Sequence, residues 1–176
     1  MIKLNLDIAA NMIGVIALIL TLLSYQNNNK SKFLLWQILA NLTLAIQYLL
    51  LNATSAVVAI LIALTRNIVF FKFENKNKEI PLYILILFEI AVLIFGVFTF
   101  DGIISLFPVI ITMLFSYAAW QKKITDTYLI CVLVMILYII YNFYVGAYVS
   151  IISNILELSS AVIGKVRLNK IKTDSY

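Results

Sequence analysis

Three ionisable side chains, Arg66, Glu89 and Glu157, stand inside long apolar stretches of the chain. A charge in that setting costs at least ~2.5–3.5 kcal/mol on insertion scales, which makes each a candidate site residue. One arginine and two carboxylates can bind a charged or polar ligand, relay a proton, or pair with one another. Arg66 and Glu157 read equally as a central polar site and as an ion pair that locks the molecule. Glu89 is the candidate for proton coupling, or a protonated carboxyl facing lipid or the bundle surface. A second, neutral layer comprises Gln37, Asn41, Gln47, Ser116, Tyr117, Tyr138, Tyr141, Asn142, Ser153, Asn154, Ser159 and Ser160. Most of these suit close packing between helices. Asn41, Asn142 and Asn154 join Arg66 and Glu157 as candidate substrate-binding residues.

Other chemistry is excluded by what the chain lacks. It has no histidine, and its one cysteine, Cys131, lies in an apolar run. Zinc, haem and iron–sulfur sites need clusters of those residues, so no metal and no cofactor is expected. A Ser-His-Asp triad cannot be built. Five glycines form no phosphate-cradling loop. No nucleophile–base pair can be named, so an enzyme is not expected.

The elements that hold these residues follow from composition. Of 176 residues 64% are apolar and 12% charged, and mean hydropathy is +1.04. A water-soluble domain of this size leaves about a third of its unfolded-chain surface wet, so the solvent must be lipid. A bilayer core of about 30 Å needs ~20 apolar residues per helix. Seven stretches qualify: 8–25, 33–51, 54–73, 80–98, 103–120, 127–145 and 148–166. Backbone groups in lipid must bond within the segment, which requires helices. Polar breaks separate them at 26–32, 74–79, Asp101-Gly102 and 121–123, with two very short turns at Asn52-Ala53 and Gly146-Ala147. Eleven Lys and Arg fall on the face carrying loops 26–32, 74–79 and 121–123 and the C-terminus, and Lys3 alone on the other. The positive-inside rule then puts the N-terminus outside and the C-terminus in the cytoplasm. This asymmetry also accounts for the net charge of +5, so no nucleic-acid partner is expected.

A shift of 94 residues lays Asn52-Ala53 on Gly146-Ala147 and Gly14 on Pro108. The first three spans (8–73) overlay the last three (103–167), leaving 80–98 as a linker helix. Only eight of 66 aligned positions are identical, so the repeat rests on span lengths, turns and basic loops. The fold expected is an all-α membrane protein, one domain over 1–176, with two parallel three-helix repeats joined by a linker. Parallel repeats of this kind occur in transporters with a midplane site between the halves.

That three-one-three layout is similar to the SWEET sugar transporters and the PnuC vitamin transporters. Leu106-Phe107-Pro108-Val109-Ile110, Asn142-Phe143 followed by Gly146, and Arg66 after the Asn52 turn resemble the YgjV family of bacterial inner-membrane proteins. The resemblance implies a multi-pass protein of the bacterial inner (plasma) membrane. In the similar sugar transporters an asparagine of the seventh span contacts substrate, and Asn154 is its match, although its repeat partner is Ile60. Pro108 is not followed by glutamine, so the proline-glutamine signature of the wider group is missing, and a proline hinge is available in one half only.

The function expected is transport of an unknown small molecule by alternating access. The alternative is a non-transporting accessory or assembly protein with structural buried charges. Partners are the lipid bilayer and a possible second copy of the chain. The orientation is checked with single cysteines at Asn28, Asn75 and Ser175 in a Cys131→Ala background. All three are expected to be shielded from an impermeant thiol reagent in intact cells; labelling of all three from outside overturns it.

Overall fold

The computed structural model describes residues 2–50, 54–98, 100, 102–144 and 148–173. Among them are seven α-helices: α1 (Ile2–Ser24), α2 (Lys30–Leu50), α3 (Thr54–Asn75), α4 (Leu82–Phe98), α5 (Leu106–Trp120), α6 (Ile124–Tyr144) and α7 (Tyr148–Thr173). A short 3-10 turn, Ile103–Ser105, leads into α5. The two tight turns at Asn52-Ala53 and Gly146-Ala147 lie outside the described residues.

Local chemistry sets the helix ends. Asn29 caps α2, its Oδ1 accepting the backbone N–H of Ser31 at 2.8 Å and of Lys32 at 3.3 Å, because the first N–H groups of a helix have no partner within it. α3 ends in a Schellman motif. Asn77 takes the left-handed conformation (φ 52°), and Lys78 N–H reaches back to the Phe73 carbonyl at 2.9 Å. Pro81 immediately precedes α4. Pro108 is the third residue of α5, where its missing N–H has no helical partner to lose. The proline available in one half therefore stands in the first turn of α5.

Helix contacts run α1–α2, α2–α3, α3–α5, α5–α6, α6–α7 and α7–α1. These close a ring of six helices in which α3 stands opposite α7, and α2 opposite α6. α4 lies outside the ring against α3 and α5. It buries Leu85, Phe88, Val92 and Gly96 and exposes Leu87, Ile90, Leu93, Ile94, Val97 and Phe98. A continuous apolar surface of this extent is unstable in water and suits acyl chains. By length and hydropathy, α2 and α6 are the helices that clearly qualify as membrane-spanning, with mean hydropathy 1.6 and 2.1. α3 and α7 carry charges (Arg66, Lys72 and Glu74; Glu157, Lys165, Arg167 and Lys170) that dilute theirs. α7 also runs past the expected end at 166 to Thr173, because a helix continues beyond the apolar layer where its polar residues reach water.

The end of the ring that carries the basic loops is closed. Tyr25, Phe33 and Tyr128 form a triangle, each pair of ring centroids 5.7 Å apart, within a cluster that includes Leu34, Phe70, Ala118, Ala119 and Ala161. Hydrogen bonds join the halves here. The Tyr128 hydroxyl donates to the Asn27 carbonyl at 2.5 Å, and Arg167 donates to the Gln26 carbonyl at 2.8 Å. The Gln26 amide donates to Ser160 Oγ at 2.8 Å. The Lys30 ammonium, only 5% exposed, pairs with Glu74 at 3.0 Å and donates to the Gln121 carbonyl.

α7 approaches the end of α1 so closely that a Cβ on Gly164 would collide with the Tyr25 carbonyl and the Tyr128 ring. Gly164→Ala is expected to destabilise the protein by about 1–3 kcal/mol through overpacking. The methyl of Gly14→Ala would meet only the Gln47 side-chain amide, which can turn aside, so that loss should be smaller. Thermal unfolding of the two variants in detergent, side by side, makes the comparison; equal losses refute it.

Candidate functional site

The ring encloses a cavity of about 860 Å³ lined by side chains from all six of its helices. No described residue of α4 lines it. At one end it reaches Asn11 and Ser150, both exposed. At the other it stops against Tyr25 and Gln37, at the closed aromatic end.

Arg66 lies in the α3 wall, 2% exposed. A buried guanidinium cannot shed its proton, so it must be satisfied in place. Its Nε and one terminal nitrogen donate to Asn67 Oδ1 at 3.2 and 3.1 Å, and the other terminal nitrogen donates to Ser116 Oγ on α5 at 2.7 Å. Its carbon sits 5.1 Å from the centroid of the Phe115 ring, a cation–π distance. Three of its five N–H donors are thus engaged by protein, and Arg66 still borders the cavity.

Glu157 borders the same cavity from α7, on the opposite side of the ring. Of the two readings of Arg66 and Glu157, the direct ion pair is not formed. Among the described residues the ion pairs are Lys30–Glu74 and Lys122–Glu79. Local acceptors hold Arg66 to its own wall, so the two side chains border the cavity from opposite sides. Asn154, one helical turn before Glu157, is 9% exposed, lines the cavity, and its side-chain N–H₂ has no partner. Asn41 on α2 and Asn142 on α6 also line it, from opposite walls. The cavity thus brings together Arg66, Asn41, Asn142, Asn154 and Glu157.

Glu89 stands apart. It is on α4, and one carboxylate oxygen is buried with no hydrogen-bond partner. It is the carboxylate near enough to Arg66 to act on it electrostatically. Any influence of Glu89 on the cavity passes through the α3–α5 seam, where Arg66 lies. Asn67, Phe115 and Tyr48 were not singled out from sequence. Asn67 had one readable signal, an amide adjacent to a buried arginine.

The lining follows the 94-residue register. Leu18 and Thr112, Thr21 and Phe115, Asn41 and Met135, Leu44 and Tyr138, Tyr48 and Asn142, Ala59 and Ser153, Ile60 and Asn154, and Ala63 and Glu157 all face the cavity as pairs. Of the nine lining residues in the second half, eight have a lining partner in the first; the ninth, Ser150, pairs with Ala56, whose side chain lies outside the description. The paired positions share a place but differ in chemistry. α3 offers Ala59, Ile60 and Ala63 where α7 offers Ser153, Asn154 and Glu157.

Residues 8–172 match the Imp-YgjV family, described as bacterial inner membrane protein. The chain belongs to that family. No curated protein and no solved structure matches it.

The Arg66 geometry makes Ser116 a support of the buried charge. Ser116→Ala should cost about 1–3 kcal/mol, because it strands a buried charged donor. A double-mutant cycle on thermal unfolding, Ser116→Ala with Arg66→Met, should show the coupling. Strictly additive losses would mean the bond does not stabilise the fold.

Proposed function

We propose that this inner-membrane protein carries a small polar molecule across the bilayer by alternating access. All seven helices cross, the basic loops are cytoplasmic, and the triplets α1–α3 and α5–α7 are parallel repeats flanked by the linker α4. The observation that carries the reading is the cavity itself. It is large enough for a metabolite, since ligand sites typically span about 300–1,000 Å³. It lies between the two triplets and is lined in matched register by both. It is sealed at the basic-loop end and reaches exposed residues at the other, the arrangement of an outward-facing carrier. Return to the inward-facing state requires the Tyr25–Phe33–Tyr128 cluster and its hydrogen bonds to part.

A second reading has one observation in its favour. Asn67, Ser116 and Phe115 satisfy Arg66 without any ligand, as they would in an accessory protein whose charges are structural. A thermal-shift screen of polar metabolites in detergent separates the two, followed by counterflow of any hit in proteoliposomes. A ligand at 100 times its Kd stabilises the folded state by about 2.7 kcal/mol. The carrier reading expects a stabilising compound that also exchanges across the liposome membrane. Failure of every compound to stabilise or exchange overturns it in favour of the accessory role.

A further inference from the structure

Resting on the reading of the cavity as a ligand site, we infer that its ligand is a small zwitterion, with its anionic group taken by Arg66 and its ammonium by Glu157. The two charges border one cavity from opposite helices, α3 and α7, with no ion pair between them. Each is held to its own wall: Arg66 by Asn67 and Ser116, Glu157 by its place on α7. A ligand spanning the gap brings each a counter-charge from within the cavity, where Glu89 does not reach. Arg66 has two N–H donors left after its protein contacts, enough to take a carboxylate. The buried, partnerless N–H₂ of Asn154 lies one turn from Glu157 and supplies a donor to any acceptor beside the ammonium. Such a group left unmatched is costly, so it selects for a ligand that uses it.

The same geometry rejects other classes. A neutral polyol leaves both charges without a counter-ion. A simple anion meets Arg66 but is repelled by Glu157, and a simple amine suffers the reverse. Opposite charges on opposite walls also fix the ligand's direction across the ring, since the repeat partners of Asn154 and Glu157 are Ile60 and Ala63.

The test is binding to the full chain in detergent, followed by thermal shift and calorimetry. The probes are neutral L-amino acids and glycine betaine, each amino acid beside its decarboxylated amine and its deaminated acid, with neutral hexoses as a further class. Zwitterions should bind, and their singly charged relatives should be weaker by about 10- to 100-fold, the worth of one charge-assisted contact. Glu157→Gln, nearly isosteric, should lower zwitterion affinity by the same factor while the deaminated acid, relieved of the repulsion, binds no more weakly than before. A merely structural role for Glu157 would weaken both alike and overturn the inference. Asn154→Ala should weaken zwitterion binding without unfolding the protein; no change removes Asn154 from the site. If no zwitterion binds, or if hexoses or single-charge probes bind as well, the inference fails while the cavity remains a ligand site. If zwitterions bind but never exchange across proteoliposomes, the inference stands and the carrier reading falls.

Discussion

The architecture depends on keeping one guanidinium inside an apolar bundle. Arg66 cannot escape its desolvation by losing its proton, as a buried lysine can, or by gaining one, as a buried carboxylate can. Fixed acceptors must therefore be waiting for it. Asn67 supplies one from the same helix, and Ser116 supplies another from α5. Phe115 offers a ring face, and Glu89 acts from the far side of the seam. These groups draw α3 and α5 together, and α4 covers that junction from outside. Because neutral acceptors at the wall take three of its N–H groups, Arg66 keeps its charge beside the cavity without a direct contact to Glu157.

The number and order of helices were legible because lipid imposes a simple length rule and the loops are polar enough to interrupt it. Asn29 and Asn77 mark two helix ends by chemistry readable in the chain, a capping amide and a residue tolerant of positive φ. The polar lining was legible for the same reason that Arg66 was: a polar group deep in an apolar run needs a partner. What that partner is could not be read. Pairing by opposite charge joined Arg66 to Glu157, whereas the nearest acceptors are neutral, one adjacent in sequence and one fifty residues away. Hydropathy carries no information on direction around a helix, so Phe115 and Tyr48 looked like bulk. Nor does it show that Pro108 stands at a helix start, since the break between Gly102 and Leu106 is only a 3-10 turn wide.

The two ends of the ring are held by different kinds of interaction. At the basic-loop end several hydrogen bonds between the halves are accepted by main-chain carbonyls, at Asn27, Gln26 and Gln121. These lie near the loops, where water can replace a lost donor at small net cost. The Arg66–Ser116 bond lies deep in the wall, and nothing there substitutes for it. In the carrier proposed above, a movement that opens the closed end while sparing that bond turns about the α3–α5 seam and parts α7 from α1. The close approach of Gly164 to Tyr25 lies on the parting side. α4 lies on the pivot side, packed against both seam helices.

Matched lining positions with unmatched chemistry give the halves different tasks. Ala59, Ile60 and Ala63 keep the α3 wall smooth, and the space they leave lies opposite the polar face of α7. Had both copies kept Asn and Glu at these positions, two carboxylates would face one cavity with a single arginine to balance them, and like charges at that depth repel strongly. Confining the acid to α7 leaves one basic and one acidic wall. The lining positions thus keep the 94-residue register, while the chemistry they carry differs from one side of the cavity to the other.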